Sequence, residues 1–384
     1  LTILASQSAA PMPWEIKFTL AFSEDLYHTA GQWEINAAIR DLYASAEPVE
    51  NLDVWVGSRM YRGQYVYLFD LWPVRDLPTI GGGVGFRLND SLHFAGHVGW
   101  NVLEDNPRIV QDRLLPHPRY PGTISQRYLE RQRFIASLQG DIGFGSSMLL
   151  AINGELHCLP RGDWIDPTTS TAETIPSEVN FKVGAGFTLS DFILVGRLPS
   201  SVHAFATVAT GSAAYGILGI PLDHAQDETA GNAFETLFGA STALEFGFFG
   251  LHAATYARRF ADADTQTTLD LDDRWEWAAA VRPEFYLGQV FRLGGELSFQ
   301  RAVPDGIFAT SNKNEALDIF KLTVFGSIVA NNEQGLHTSP QLRLFFTTVF
   351  LSEPAREWLD DYVFYQEPAG VEFFFGLSAE WKIG

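Results

Sequence analysis

Nowhere does the chain hold the roughly 18 uncharged apolar residues in a row that an α-helix needs to cross a bilayer. Yet 46% of its 384 residues are hydrophobic and 30 are phenylalanine, so the apolar residues are spread over many short pieces and helical spanning is excluded. Cysteine occurs once, at Cys158, which excludes an internal disulfide and a cysteine-based metal site. Basic residues are scarce as well. The 26 Lys and Arg against 46 Asp and Glu leave a formal charge of -20, which opposes nucleic acid or bare anionic lipid as a partner. Catalytic signatures are missing too. The nine His are scattered, and neither a Gly-x-Ser-x-Gly nor a His-Glu-x-x-His pattern occurs, so no enzyme, metal or cofactor is expected. No signal peptide is visible at Leu1-Thr2-Ile3-Leu4; it is expected to have been removed or to lie before Leu1. No linker breaks the composition, and 1–384 reads as one domain.

What the chain does have is alternation. In its last stretch Val371, Phe373, Phe375, Leu377, Ala379 and Trp381 form one face, and Glu372, Phe374, Gly376, Ser378, Glu380 and Lys382 the other. Side chains alternate faces along a strand, and ten residues exceed the five or six of an ordinary strand while matching the nine to eleven of a tilted strand crossing a bilayer. Ile16, Phe18, Leu20 and Phe22 repeat the pattern, as do Phe291, Leu293, Leu297 and Phe299. About seventeen such runs are legible, at 1–9, 14–23, 37–45, 51–60, 84–90, 91–101, 133–144, 147–157, 179–189, 202–211, 235–247, 248–258, 274–286, 290–301, 317–330, 338–350 and 370–382. Short connectors such as 189–191 alternate with long polar ones at 102–132, 212–234, 259–273 and 351–369. Trp100, Trp275, Trp277, Phe350 and Trp381 stand near run ends, as an interfacial aromatic girdle requires. His93 and His97, four apart in a strand, read as wet lumen residues. The pattern predicts an all-β fold, a transmembrane antiparallel β-barrel in the bacterial outer membrane and in contact with its lipid.

One region is more specific. Trp33-Glu34-Ile35-Asn36-Ala37-Ala38-Ile39-Arg40 is followed by Asp53-Val54-Trp55-Val56-Gly57-Ser58-Arg59-Met60-Tyr61-Arg62, by Val66-Tyr67-Leu68-Phe69-Asp70-Leu71-Trp72, and by Gly81-Gly82-Gly83-Val84-Gly85-Phe86. This order resembles the sugar porin (maltoporin-like) family, and the resemblance continues at Val281-Arg282-Pro283, Lys321-Leu322-Thr323 and Pro340-Gln341-Leu342-Arg343. It implies a homotrimer of barrels of about 18 strands, each narrowed by an inward-folded third loop, placed here at 61–83. It also implies passive, facilitated diffusion of carbohydrates past aromatic rings and charged side chains. By matching, Arg40 falls on a channel-lining arginine, Asp70 on the carboxylate of the constriction loop, Trp72 on its aromatic, and Trp33 near the loop tryptophan that reaches the neighbouring subunit. Arg59 and Arg62 are further candidate cations, and alternation turns Lys382 into the lumen. Each has a plainer role open to it, as an interior salt-bridge partner or as loop packing.

The departures are informative. Gly63 and Tyr65 stand where the family carries an Arg and an Asp before Val66, Trp381 falls on the lipid face, and Leu287 takes the place of another aromatic of the slide. Leu1 enters at the family's second strand, so its first strand is expected to be absent from this chain. The competing expectations are a general diffusion porin for small hydrophilic solutes and a soluble all-β binding protein.

Overall fold

The computed structural model describes residues 2–7, 12–23, 36–100, 110–116, 123–129, 133–165, 172–196, 198–214, 232–261, 273–307, 313–330, 341–362 and 369–380. In chain order the strands are β1 (Thr2–Gln7), β2 (Trp14–Ser23), β3 (Asn36–Val49), β4 (Leu52–Arg62), β5 (Asp76–Asn89), β6 (Leu92–Trp100), β7 (Val110–Pro116), β8 (Thr123–Leu129), β9 (Phe134–Phe144), β10 (Met148–Leu159), β11 (Gly162–Ile165), β12 (Ala172–Ile175), β13 (Glu178–Phe192), β14 (Ser200–Thr210), β15 (Phe234–Glu245), β16 (Phe249–Ala261), β17 (Arg274–Leu287), β18 (Phe291–Pro304), β19 (Leu317–Val329), β20 (Gln341–Leu351) and β21 (Val371–Glu380). Seventeen of them form one sheet. Neighbours pair antiparallel along a meander from β1 to β21, which passes from β6 to β9 and from β10 to β13. The excluded strands pair locally as the ribbons β7–β8 and β11–β12. Each of the seventeen overlaps one of the runs read from the sequence, β5 beginning at Asp76, ahead of the run at 84–90.

Burial shows why the pattern is so regular. Along β13 the buried residues are Asn180, Lys182, Gly184 and Gly186, and the exposed ones Val179, Phe181, Val183, Ala185 and Phe187. Along β14 His203, Phe205, Thr207 and Ala209 are buried while Val202, Ala204, Ala206 and Val208 are exposed. The usual rule is inverted: the open face is the apolar one, and Leu138 and Phe375 are each 75% exposed. An apolar outer band around a polar interior is stable only in hydrocarbon. The segment joining β4 to β5 also reaches sequence-distant strands across the interior, as Tyr67 does His252 of β16 at 5.1 Å between ring centres. The sheet is therefore rolled into a barrel.

Trp100, Trp275, Trp277 and Phe350 are outward-facing and near strand ends, where the girdle is expected, and Trp14 joins them. Inward aromatics are accommodated differently. Trp55 pairs with Gly83, Phe205 with Gly239, Phe325 with Gly294 and Phe345 with Gly376. A Cβ added to any of those glycines would come within 2.3–2.7 Å of its neighbour strand's backbone or of the paired ring. Each ring lies over bare backbone. The glycine cluster at 81–85 thus belongs to β5, where Gly83 seats the Trp55 ring.

One long connector is partly helical: α1 (Glu353–Tyr362) lies between β20 and β21, although 351–369 reads as a polar loop. Ser352 starts it by accepting a hydrogen bond from the Ala355 amide (3.4 Å), and Ala355 packs on Leu317.

The topology makes Phe373, Phe375 and Leu377 lipid-facing, and the pairing of Ser378 with Arg343 puts Ser378 inside. Phe375→Arg is expected to destabilise the folded barrel by about 2–4 kcal/mol, and Ser378→Arg by much less. Denaturant titration in lipid vesicles checks this, and equal losses at both positions contradict the facing.

Candidate functional site

Between β4 and β5 the chain leaves the sheet at Gly63 and returns at Arg75, whose carbonyl accepts the Gly63 amide at 3.0 Å. Within this excursion Val66 and Leu71 bond each other in both directions, at 2.8 and 3.4 Å, around a single 3-10 turn at Tyr67–Phe69. Asp70 closes the turn in the left-handed region (φ 51°), which Asp tolerates better than most residues. The excursion is shorter than the 61–83 loop read from the sequence, because Tyr61, Arg62 and residues 76–83 continue β4 and β5.

This finger lies inside the barrel. Val66, Leu71 and Val74 form one buried cluster with Phe205 of β14, Leu237 of β15 and Ala254 of β16. At the tip, Phe69 meets Tyr256 edge-on at 5.2 Å and Tyr67 faces His252, with the Arg282 guanidinium 5.2 Å from the Tyr67 ring. At its base Arg75 binds Asp141 of β9. Apolar burial explains the inward course: Val66, Leu71 and Val74 are buried on the wall and the rings of Tyr67 and Phe69 meet partners there, cover that water would not give.

The strands beyond the tip carry a mixed charge array. Arg282 of β17 bonds Glu296 of β18, which also holds Lys321 of β19 at 2.8 Å. Beside it Glu284 lies 3.5 Å from Arg292 and 3.9 Å from Arg343 of β20. Four cations and two carboxylates are thus interleaved across four neighbouring strands. The guanidinium of Arg343 stands 4.5 Å over the Phe325 ring, with that of Arg282 5.9 Å from it, which covers that aromatic. Nearer the long-loop end Arg258 joins Glu235 at 2.6 Å and Glu276 at 3.4 Å, with both members of the first pair 1% exposed.

The candidates named from the sequence fare differently. Asp70 is exposed on the finger and accepts a hydrogen bond from the Tyr65 hydroxyl at 2.9 Å. Trp72 is stacked against Tyr65 at 4.5 Å, and the Arg62 guanidinium stands 3.7 Å from its ring centre. Two groups so close to one ring leave little of its faces for a third. Arg62 is also paired with Asp76 at 3.1 Å. Arg59 points inward but is enclosed by Tyr43, Trp55 and Tyr61, at 4.4–5.3 Å from their ring centres. Arg40 lies in β3 at a bulge, since Ile39 pairs with Leu20 and Asp41 with Thr19; only its backbone is described. Trp33, Lys382 and Trp381 lie outside the described residues. Leu287 and Phe285 face outward, and Tyr286 turns inward with its hydroxyl on Glu245 at 2.8 Å.

The reading from sequence passed over two open inward rings, Tyr65 (41% exposed) and Phe374 (50% exposed). Phe374 pairs with Thr347, whose hydroxyl meets that of Thr323 at 2.8 Å on the lumen face. Its place on the wet side of the alternating run was the available signal.

Residues 163–381 match the family described as LamB porin. No curated protein matches the chain. Among solved structures the fold is similar to Acinetobacter baumannii OccAB1 (TM-score 0.52, 10% identity, 98% of this chain and 89% of that one). It is also similar to Pseudomonas aeruginosa OccD3 (OpdP) (TM-score 0.51, 10% identity, 98% and 84%) and to OccK10 (OpdN) of the same organism (TM-score 0.50, 10% identity, 92% and 87%). At such identity the likeness to these structures is one of fold.

Proposed function

Because the chain belongs to the LamB porin family, channels of the bacterial outer membrane and not enzymes, we propose that it passes carbohydrates passively, by facilitated diffusion along the finger of residues 63–75. The finger is the constriction, and the passage runs between it and the wall of β17 to β21. One observation carries the reading: the cations and carboxylates of Arg282, Glu296, Lys321, Glu284, Arg292 and Arg343 are interleaved. A sugar hydroxyl both donates and accepts, so it exchanges bonds with alternating donors and acceptors at little net cost, whereas a monovalent ion meets repulsion at every second group. Tyr65 and Phe374 add open ring faces for the C–H side of the sugar. Asp70 serves as an acceptor at the narrowest point, oriented by Tyr65. Trp72 is reassigned: held between Tyr65 and Arg62, it props the finger and leaves stacking to Tyr65 and Phe374. Repeated weak sites permit exit as well as capture. The assembly is taken to be a homotrimer in outer-membrane lipid.

A second reading, a general diffusion porin for small hydrophilic solutes, is favoured by the covering of Trp72 and Phe325 by their own arginines. Single-channel recording with a panel of neutral oligosaccharides separates the two. Facilitated diffusion requires saturable, reversible block by one sugar class. Phe374→Ala and Tyr65→Ala should each weaken that block roughly 2- to 10-fold, the scale of ~0.5–1.5 kcal/mol per aromatic contact. A parent channel that no sugar blocks is a general porin.

A further inference from the structure

We propose that Arg75 and Asp141 form a clamp that sets the aperture of the channel by fixing the finger to the wall, a positioning role that rests on the reading of residues 63–75 as the constriction. Arg75 is the last residue of the finger before β5, and its side chain is 10% exposed. Its guanidinium grips the Asp141 carboxylate as a fork, Nη1 donating to Oδ2 at 3.1 Å and Nη2 to Oδ1 at 2.7 Å. The two N–H groups of Nη2 are shared between that carboxylate and the carbonyls of Gly140 (3.0 Å) and Ile152 (3.1 Å), residues paired with each other on β9 and β10. A carbonyl engaged in a strand ladder retains a second lone pair, so these bonds need not disrupt the sheet. His93 Nδ1 stands 3.6 Å from Oδ2 of the same carboxylate.

The neighbouring residue is held as firmly. The Val74 carbonyl accepts a hydrogen bond from Asn153 Nδ2 at 3.1 Å, and Asn153 is 1% exposed. The Val74 side chain lies where a Cβ on Gly184 or Gly186 would meet it, at 3.4 and 3.2 Å. Three successive wall strands, β9, β10 and β13, therefore grip residues 74 and 75.

Farther out, the finger rests on the apolar cluster with Phe205, Leu237 and Ala254. Apolar contact is non-directional and tolerates sliding, whereas a planar fork on a carboxylate fixes distance and angle together. The position of Asp70 and Tyr65 in the passage is thus referred to the wall through Arg75.

The test uses the full chain in planar bilayers at one fixed pH and salt, with sheet content confirmed by circular dichroism. Arg75→Gln and Asp141→Asn should each add a state of larger conductance. The ratio of time spent in that state should rise roughly tenfold or more, the factor carried by loss of a charge-assisted hydrogen bond. Arg75→Lys, which keeps the charge without the fork, should fall between the parent and Arg75→Gln. Should Arg75→Gln not fold, Asp141→Asn, which keeps the side-chain shape, decides alone. A deletion of residues 64–72 serves as reference. If it raises conductance while both point variants keep the parental current and noise, the clamp is overturned and the constriction stands. If it leaves conductance unchanged, the constriction reading fails and takes the clamp with it.

Discussion

Arg258→Met is expected to be the most damaging single substitution in the lumen, lowering stability by about 3–5 kcal/mol, because it strands a buried carboxylate. Arg258 and Glu235 are each 1% exposed and meet at 2.6 Å, and the second partner of Arg258, Glu276, is also held by Arg274 at 2.5 Å. Removing the guanidinium leaves Glu276 with a cation but Glu235 in a nearly dry site. The double change Arg258→Met with Glu235→Leu removes both charges and should recover most of the loss, since a buried pair costs much of its own attraction in desolvation. Urea titration of the parent, single and double variants, with the slope unchanged, checks this. A double variant as unstable as the single one would show that the site depends on the pair itself and not on avoiding a lone charge.

The second large effect is on conduction. A cysteine placed at Asp70 in a Cys158→Ala background, then modified with a bulky thiol reagent, should stop most of the single-channel current. Position 70 is exposed at the end of the turn that the apolar cluster holds against β14 to β16. The native φ of 51° suits Asp better than Cys, so sheet content is confirmed by circular dichroism before labelling. Cys158 lies on β10 one residue from the inward His157 and Asn180 pair, hence on the opposite face, and its removal leaves the passage intact. Undiminished current after complete labelling would mean that the finger does not stand in the path.

The sheet was legible because its two solvents are so different. Every second residue meets hydrocarbon and the rest meet water or paired charge, a contrast that survives in the letters of strands such as β13, β18 and β21. The finger was legible in outline only. Its ring-rich composition signalled an inward course, but residues 76–83 were included in the loop when they belong to β5, where Gly83 serves Trp55. Residue roles were the least legible. Arg59 and Arg62 look alike in sequence, yet one is boxed by three aromatic rings and the other props Trp72. The array from Arg282 to Arg343 is assembled from four strands; Arg282, Lys321 and Arg343 were visible only as pieces of a family pattern, and Glu284, Arg292 and Glu296 not as part of it. The helix α1 was signalled by Ser352 ahead of Glu353, a start signal inside a stretch otherwise read as polar connector.

The pairing of four inward rings with glycines on the next strand has a bearing on capacity. An aromatic side chain standing off the wall would reduce the clear width by several ångströms, and the loss would fall at whichever level of the tube held it. Inlaid over a residue without a side chain, the same ring thickens the wall by little more than its own depth. Trp55, Phe205, Phe325 and Phe345 can therefore stiffen strands that glycine alone would weaken while the bore is left to be set by the finger. Throughput is decoupled from the bulk of the lining, and a change in any of the four glycines acts on the width of the tube through a neighbour's ring and not through its own.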